Sequence, residues 1–334
     1  MPAPTVHLTF AEMLADAPEV PRAVRSAVRS SLPYARLGGI YHDLPYYTGV
    51  AHLCVGYWRE NAAEICPWGV RLHRDAPGAF AEHLVRTLRT ADGPLDRSER
   101  LAFLAGFLSH ALLDHTLHPL VNHAAERQQS LCGGEVSHHH RLVEKFHSIF
   151  FHAERFGEDV LGSSVMRERA RLGASWRVER PLAEFMTGLL RGRFGEAPSP
   201  GRWASWVRCY QRISFLLSTP LAALGSRRSR TERAYRLYYA NPEHDFREFF
   251  AAAETRTHRF ISFAHDYFEA GDFSNGARAR FIEEAALDDL AFPDRVAHPV
   301  RRISELRDTV SGRPMGRAVS SRPTGRAASA YPAG

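Results

Sequence analysis

Apolar residues recur along most of the chain at helical rather than alternating spacing. That spacing predicts helices over 20–30, 77–90, 98–123, 138–152, 181–191, 202–217, 229–240, 245–270 and 276–290. Alternating runs of β-branched residues bounded by turns are scarce. Turn-forming clusters separate the helices: Ala91-Asp92-Gly93-Pro94, Cys132-Gly133-Gly134, GEAPSPG over 195–201 and GDFSN over 271–275. Asp96 or Ser98 can cap the long third helix, with Glu99 in its first turn. From about Ala297 the chain turns to Arg, Ser, Pro, Gly and Ala without apolar period, so 297–334 is predicted to be a disordered basic tail. The expected fold class is all-α: one multi-helix domain over 1–296, with a separate helical subdomain after 174 as the alternative arrangement.

Composition sharpens this picture. The chain has 334 residues and is 44% hydrophobic, enough for a substantial core. The apolar run 101–108 is far too short to cross a bilayer. The N-terminal residues lack a basic stretch followed by an apolar one, so a cytoplasmic location is expected. Cys54, Cys66, Cys132 and Cys209 stand far apart and read as reduced thiols. A net charge of +6 invites a nucleic-acid or membrane reading. Yet among the 43 basic residues only Lys145 is lysine, which looks like codon bias, and much of the excess sits beyond Arg301. Charge alone therefore argues for no partner.

The chemistry lies in LAFLAGFLSHALLDHTLHPLVNH, residues 101–123. Into this apolar helix are set His110, Asp114 and His118, at i, i+4 and i+8. Each step turns the helix by about 400°, so the three share one face with a drift of roughly 40° per step. A carboxylate on such a surface is costly unless a charge compensates it, and no Lys or Arg lies on the stripe. A divalent cation is the simplest compensation. The two histidines are about 12 Å apart along the axis, too far to share one ion with metal–nitrogen bonds of about 2 Å. Asp114 can give an oxygen to each of two ions, so the stripe predicts two or three metals. Such clusters suit phosphoester hydrolysis, with one ion activating water and the others holding phosphoryl oxygens.

A second segment, SHHHRLVEKFHSIFFH over 137–152, places His140 and Glu144 on one face of the next helix. H-x-x-x-D followed by H-x-x-x-E is more specific than either pair. The plainer alternative makes His138–His140 a solvated turn and pairs Glu144 with Arg141 or Lys145. Together with its flanking motifs, the pattern resembles the zinc-dependent phospholipase C family and the related trinuclear-zinc nucleases. His7-Leu-Thr-Phe-Ala resembles the first ligand region, and Leu37-Gly-Gly-Ile-Tyr-His-Asp43-Leu-Pro-Tyr-Tyr the aspartate ligand, with His42 where the family usually has proline. Leu72-His73-Arg-Asp-Ala-Pro-Gly-Ala-Phe resembles the next histidine region. Phe103-Leu-Ala-Gly-Phe-Leu-Ser-His110, Asp114 and His118-Pro119 resemble the most diagnostic stretch, and His140 and Glu144 the closing pair.

The resemblance runs from the N-terminus to about residue 150. It implies an all-helical fold of the phospholipase C and nuclease type. It implies Zn2+ (two or three ions) held by His7, Asp43, His73, His110, Asp114, His118, His140 and Glu144. It also implies hydrolysis of a phospholipid to diacylglycerol and a phosphorylated head group, with Asp43 both ligand and general base. The expected partner is a phospholipid or other phosphodiester, with peripheral membrane contact, and nucleic acid ranks behind it. Secreted members add a mature N-terminal Trp as a ligand, and no Trp precedes His7 here.

Several alternatives stay open at this stage. His52 competes with His73, and Asp43 could instead be a turn aspartate before Leu-Pro. His115 points off the stripe, while His123, His139 and His147 are possible substitute ligands. Tyr235, Tyr238, Tyr239, Phe246, Phe249 and Phe250 could line a lipid-facing mouth, although aromatic residues at helical spacing normally pack inward. Arg227, Arg228 and Arg230 read as a solvated loop. Rival functions are a trinuclear-zinc nuclease, an HD-type phosphohydrolase built on His42-Asp43, and a catalytically silent metal-binding helical protein.

Overall fold

The computed structural model describes residues 4–48, 66–90, 92–157, 159–229, 231–241, 244–287 and 290. The predicted tail, His52 and Cys54 lie outside these. The described chain is helical, as its periodicity predicts. Its helices are α1 (Pro4–Met13), α2 (Arg22–Ser30), α3 (Leu32–Ile40), α4 (Pro67–Arg74), α5 (Pro77–Thr90), α6 (Arg97–Cys132) and α7 (Val136–Phe156). They continue with α8 (Ser164–Arg169), α9 (Arg180–Phe194), α10 (Pro200–Leu217), α11 (Pro220–Ser229), α12 (Glu232–Ala234), α13 (Phe246–Ala270) and α14 (Asn275–Ala285). Among the described residues the β-structure is one antiparallel pair, Ala240–Asn241 with His244–Asp245. No described helix is long and apolar enough to cross a membrane.

Helix α6 is the axis of the molecule. Its 36 residues span about 54 Å at 1.5 Å per residue. Asp96 caps it: its carboxylate accepts the Glu99 N–H at 2.8 Å, and the Glu99 carboxylate accepts the Asp96 N–H at 2.8 Å. The helix runs past its predicted end because residues 124–129 (AAERQQ) are good helix formers. Helices α1, α2, α3, α5, α7 and α13 pack around it, which explains why residues 101–122 are buried on every side. The main core joins residues from α1–α6 with others from α9, α10, α13 and α14. In a second core, Tyr239, Phe246, Phe249 and Phe250 pack inward against Phe150, Phe151, Phe10 and Leu113, with Tyr235 and Tyr238 half-buried beside them.

Helices α1, α3, α4, α8 and, but for Ser229, α11 lie outside the predicted ranges, and three predicted elements turn out differently. The helix predicted over 229–240 is instead α12 followed by a π-helical turn, Tyr235–Tyr239, and the short hairpin. Pro242 follows at once and biases Asn241 towards extended backbone. The helix predicted over 276–290 stops at Ala285, where Ala286 takes a positive φ of 44°. Asp288 and Asp289 would have put negative charge at a helix C-terminus, where the helix dipole opposes it. Arg227 and Arg228 have helical backbone within α11 rather than forming a loop.

Helices α3 and α6 touch backbone to backbone. A Cβ on Gly106 would collide with the Ala35 carbonyl, and one on Gly38 with the Phe103 carbonyl. The contact is open only to glycine, and the adjacent Gly39 carbonyl is thereby held against α6. Gly106→Ala is expected to destabilise the fold by about 1–3 kcal/mol, the usual cost of overpacking, measured by urea denaturation. A change within about 0.5 kcal/mol, typical of a surface substitution, would show that the helices separate freely.

Candidate metal centre

Asp114 stands at the centre of four histidines. Its Oδ1 lies 3.2 Å from His7 Nε2 and 3.4 Å from His118 Nε2. Its Oδ2 lies 3.0 Å from His110 Nε2 and 3.4 Å from His73 Nε2. His73 Nε2 is also 3.6 Å from Asp43 Oδ1. On α7, Glu144 Oε1 faces His140 Nε2 at 3.2 Å and His118 Nε2 at 3.6 Å. These atoms form three groups, each compact enough for one cation: His7, His110 and Asp114; Asp43, His73 and His110; and His118, His140 and Glu144. The structure thus brings together all eight residues singled out from the sequence, from α1, the turn after α3, α4, α6 and α7.

The spacings test whether a metal fits. With zinc–ligand bonds of about 2.0–2.1 Å, two ligands of one tetrahedral ion sit about 3.4 Å apart. The seven distances run from 3.0 to 3.6 Å, longer than ordinary charge-assisted hydrogen bonds and matching the edges of such a polyhedron. Asp114 and Glu144 are only 3% and 8% exposed, so both carboxylates are largely withdrawn from bulk water. Among the described residues no Lys or Arg pairs with either of them or with Asp43. Both Asp43 oxygens and Glu144 Oε2 are buried without a hydrogen-bond partner, an expensive condition for carboxylates that a cation would relieve. The donor set of imidazoles and carboxylates suits zinc.

Four of the five rings are aimed from behind. His110 Nδ1 donates to the Gly39 carbonyl at 2.8 Å, His73 Nδ1 to Gly69 at 2.7 Å and His118 Nδ1 to Leu290 at 2.7 Å. His140 Nδ1 donates to Asn122 Oδ1 at 2.8 Å. A carbonyl only accepts, so the proton sits on Nδ1 and a neutral ring turns a bare Nε2 lone pair inward, the arrangement of a metal-ligating histidine. Helix α1, which carries His7, is fixed by a polar seam. Thr5 meets Ser148, the Thr9 hydroxyl donates to His152 Nε2 at 2.7 Å, and Glu12 pairs with Arg36 at 2.7 Å and Arg169 at 2.6 Å. Burial, with Arg169 nearby, lowers His152 to about 4 and keeps it a neutral acceptor.

The electrostatics follow from the same crowding. Burial alone would raise Asp114, but the His118, His110 and His7 rings outweigh it and hold the carboxylate well below its usual range. Glu144 is likewise lowered, by His140 and His118 against its burial. Burial pulls His118 down, yet Asp114 and Glu144 raise it to about 10. Asp43 is pushed up by burial, against the pull of its histidine neighbours. A cavity of about 30 Å³, enough for about two waters on that measure, opens beside His7, Asp114, His118 and Glu144, with Val6, Leu113 and Phe246 on its apolar side.

Three further histidines are engaged elsewhere. His139 Nε2 donates to the Gly133 carbonyl and His147 Nε2 to that of Tyr238, each at 2.7 Å, and His115 Nδ1 meets Arg256 at 2.7 Å. His42 is fully buried with its ring stacked on His110 at 4.6 Å, outside the three groups. The aiming groups were not foreseen. Asn122 could have been, since it extends the stripe by one more step of four, but backbone carbonyls leave no mark in a sequence.

A family model described as zinc-dependent phospholipase C matches residues 6–197, well past the 150 residues over which the motifs are recognisable. No curated protein and no solved structure matches the chain.

Two outcomes are expected. Asn122→Leu should weaken zinc binding about 10–100-fold, as loss of an aiming group does, in chelator competition with the fold intact. Unchanged affinity would remove Asn122 from the site. Zinc must also displace the proton on His118, so titration calorimetry at neutral pH should show proton release, through heats that vary with buffer ionisation enthalpy. In the zinc-stripped chain the raised His118 contributes stability that is complete below 6.5 and lost as pH climbs towards about 10. A binding heat independent of buffer would contradict this.

Proposed function

The chain belongs to the zinc-dependent phospholipase C family, and from that premise we propose that it hydrolyses phosphodiesters, with phospholipids as substrates and diacylglycerol and a phosphorylated head group as products. The observation that carries the reading is Asp114, a buried carboxylate ringed by four imidazole nitrogens at 3.0–3.4 Å and paired with no arginine or lysine among the described residues. Two or three zinc ions would be held among these groups; His110, common to two of them, turns one nitrogen inward and would serve a single ion, while Asp114 offers Oδ1 beside His7 and His118 and Oδ2 beside His110 and His73. Bound there, zinc would supply Lewis acidity, lowering the pKa of a water and taking up charge on the phosphoryl oxygens.

The chain's own groups do the rest. Asp43 is the proton acceptor: burial raises it towards the working range of a general base, and its Oδ2 has no hydrogen-bond partner among the described residues. Water adds to phosphorus, the bond from phosphorus to the glycerol oxygen breaks, and the proton passes to that oxygen. The apolar side of the cavity, Val6, Leu113 and Phe246, excludes bulk water and suits a substrate with a greasy portion. Such a substrate requires peripheral contact with a lipid surface. The HD-type alternative needs His42 as a ligand, and its stacking on His110 favours a packing role instead.

Mass spectrometry of the native protein should find more than one zinc per chain, with release of diacylglycerol from phosphatidylcholine. Asp114→Asn should lose zinc and lower kcat/KM by at least about 10²-fold, the scale of removing one charge-stabilising group. Faster cleavage of single-stranded DNA than of phosphatidylcholine would move the assignment to a nuclease. Full zinc content without hydrolysis of either would leave a metal-holding structural protein.

A further inference from the structure

Beyond α14, Leu287 and Leu290 make backbone contacts with helices of the metal centre's scaffold. Arg256 on α13 clamps the end of α14 by donating to the Ala285 and Ala286 carbonyls at 3.0 and 3.1 Å. The Leu287 carbonyl then accepts the Gly78 N–H of α5 at 3.2 Å. Leu290 makes two backbone hydrogen bonds to ligand-bearing helices. Its carbonyl takes the Nδ1–H of His118 on α6 at 2.7 Å, and its N–H donates to the His73 carbonyl on α4 at 2.9 Å. Its side chain is buried in the main core, 1% exposed.

From this we infer that the Leu290 backbone is a positioning element of the metal centre, holding His73 and His118 in register with each other. The inference rests on the reading that these two histidines hold metal. Gly39, Gly69 and Asn122, which aim the other rings, all lie within the residues matched by the family model, whereas Leu290 lies some ninety residues beyond its end at 197. The segment after α14 therefore completes a site whose ligands lie wholly within the first 150 residues. His73 and His118 belong to different candidate ion groups, so the backbone of one residue sets the spacing between two groups. Because His118 turns only about its side-chain bonds, removing the carbonyl frees its ring to rotate away from Glu144 and Asp114.

The test is zinc affinity by chelator competition and the visible absorption of the cobalt(II)-loaded protein, both independent of turnover. The full chain is compared with chains ending at 286 and at 296, with folding checked by circular dichroism. The chain ending at 286 should bind zinc about 10–100-fold more weakly, the usual effect of losing an aiming group, with an altered cobalt spectrum. The chain ending at 296 should match the full chain. In the full chain, Leu290→Gly keeps both backbone groups and should preserve affinity and spectrum, whereas Leu290→Pro removes the N–H and should weaken binding. A folded 286 chain with parental affinity and spectrum overturns the inference. If that chain does not fold, the two substitutions decide, and equal affinity for Gly and Pro overturns it. Absence of zinc binding by the full chain would instead overturn the metal reading itself.

Discussion

A carboxylate removed from water inside a helical bundle must be neutralised by whatever the bundle places around it. Asp114 imposes that requirement at the middle of the longest helix, and the organisation of the first half of the chain follows from it. Four histidines converge on its two oxygens. They come from three helices, so α1, α4 and α6 are held in fixed register by charge as much as by apolar packing. Glu144 repeats the demand one helix away, and His118 answers both acids at once.

Imidazoles can serve only if they present lone pairs rather than protons, and that depends on what stands behind them. The Gly39 carbonyl can reach His110 because α3 and α6 are in glycine-mediated contact. The packing of two helices and the aim of a ligand are thus one structural fact seen from two sides. The hydroxyl and ion-pair seam along α1 does the same for His7 without touching its ring.

The stripe of His110, Asp114 and His118 was legible because a helix converts spacing of four into one face, and an acid in an apolar stretch has few inexpensive explanations. His140 and Glu144 were legible for the same reason. His7, Asp43 and His73 have no such periodicity, so only motif resemblance singled them out, and it is the fold that gathers them. Helices α1 and α3 escaped the periodicity. One is ten residues long and alternates polar and apolar residues over 5–10, a strand-like period, while the other carries the Gly38-Gly39 pair that disfavours helix. The end of α14 was misplaced because local spacing could not show that Leu287 and Leu290 find their burial across the metal centre. What a sequence conceals here is mostly backbone: carbonyls that belong to every residue alike and matter only where the chain returns from far away.

The two oxygens of Asp114 have a consequence for how such a site fills. One unit of negative charge faces more than one candidate ion group, so any cation taken up on Oδ1 leaves the oxygen opposite less attractive to the next. Ions sharing this carboxylate would load in descending order of affinity, whereas the Asp43 and Glu144 groups each bring an acid of their own. Under scarcity the centre would empty stepwise, shedding its most weakly held ion while the rest of the scaffold stayed assembled.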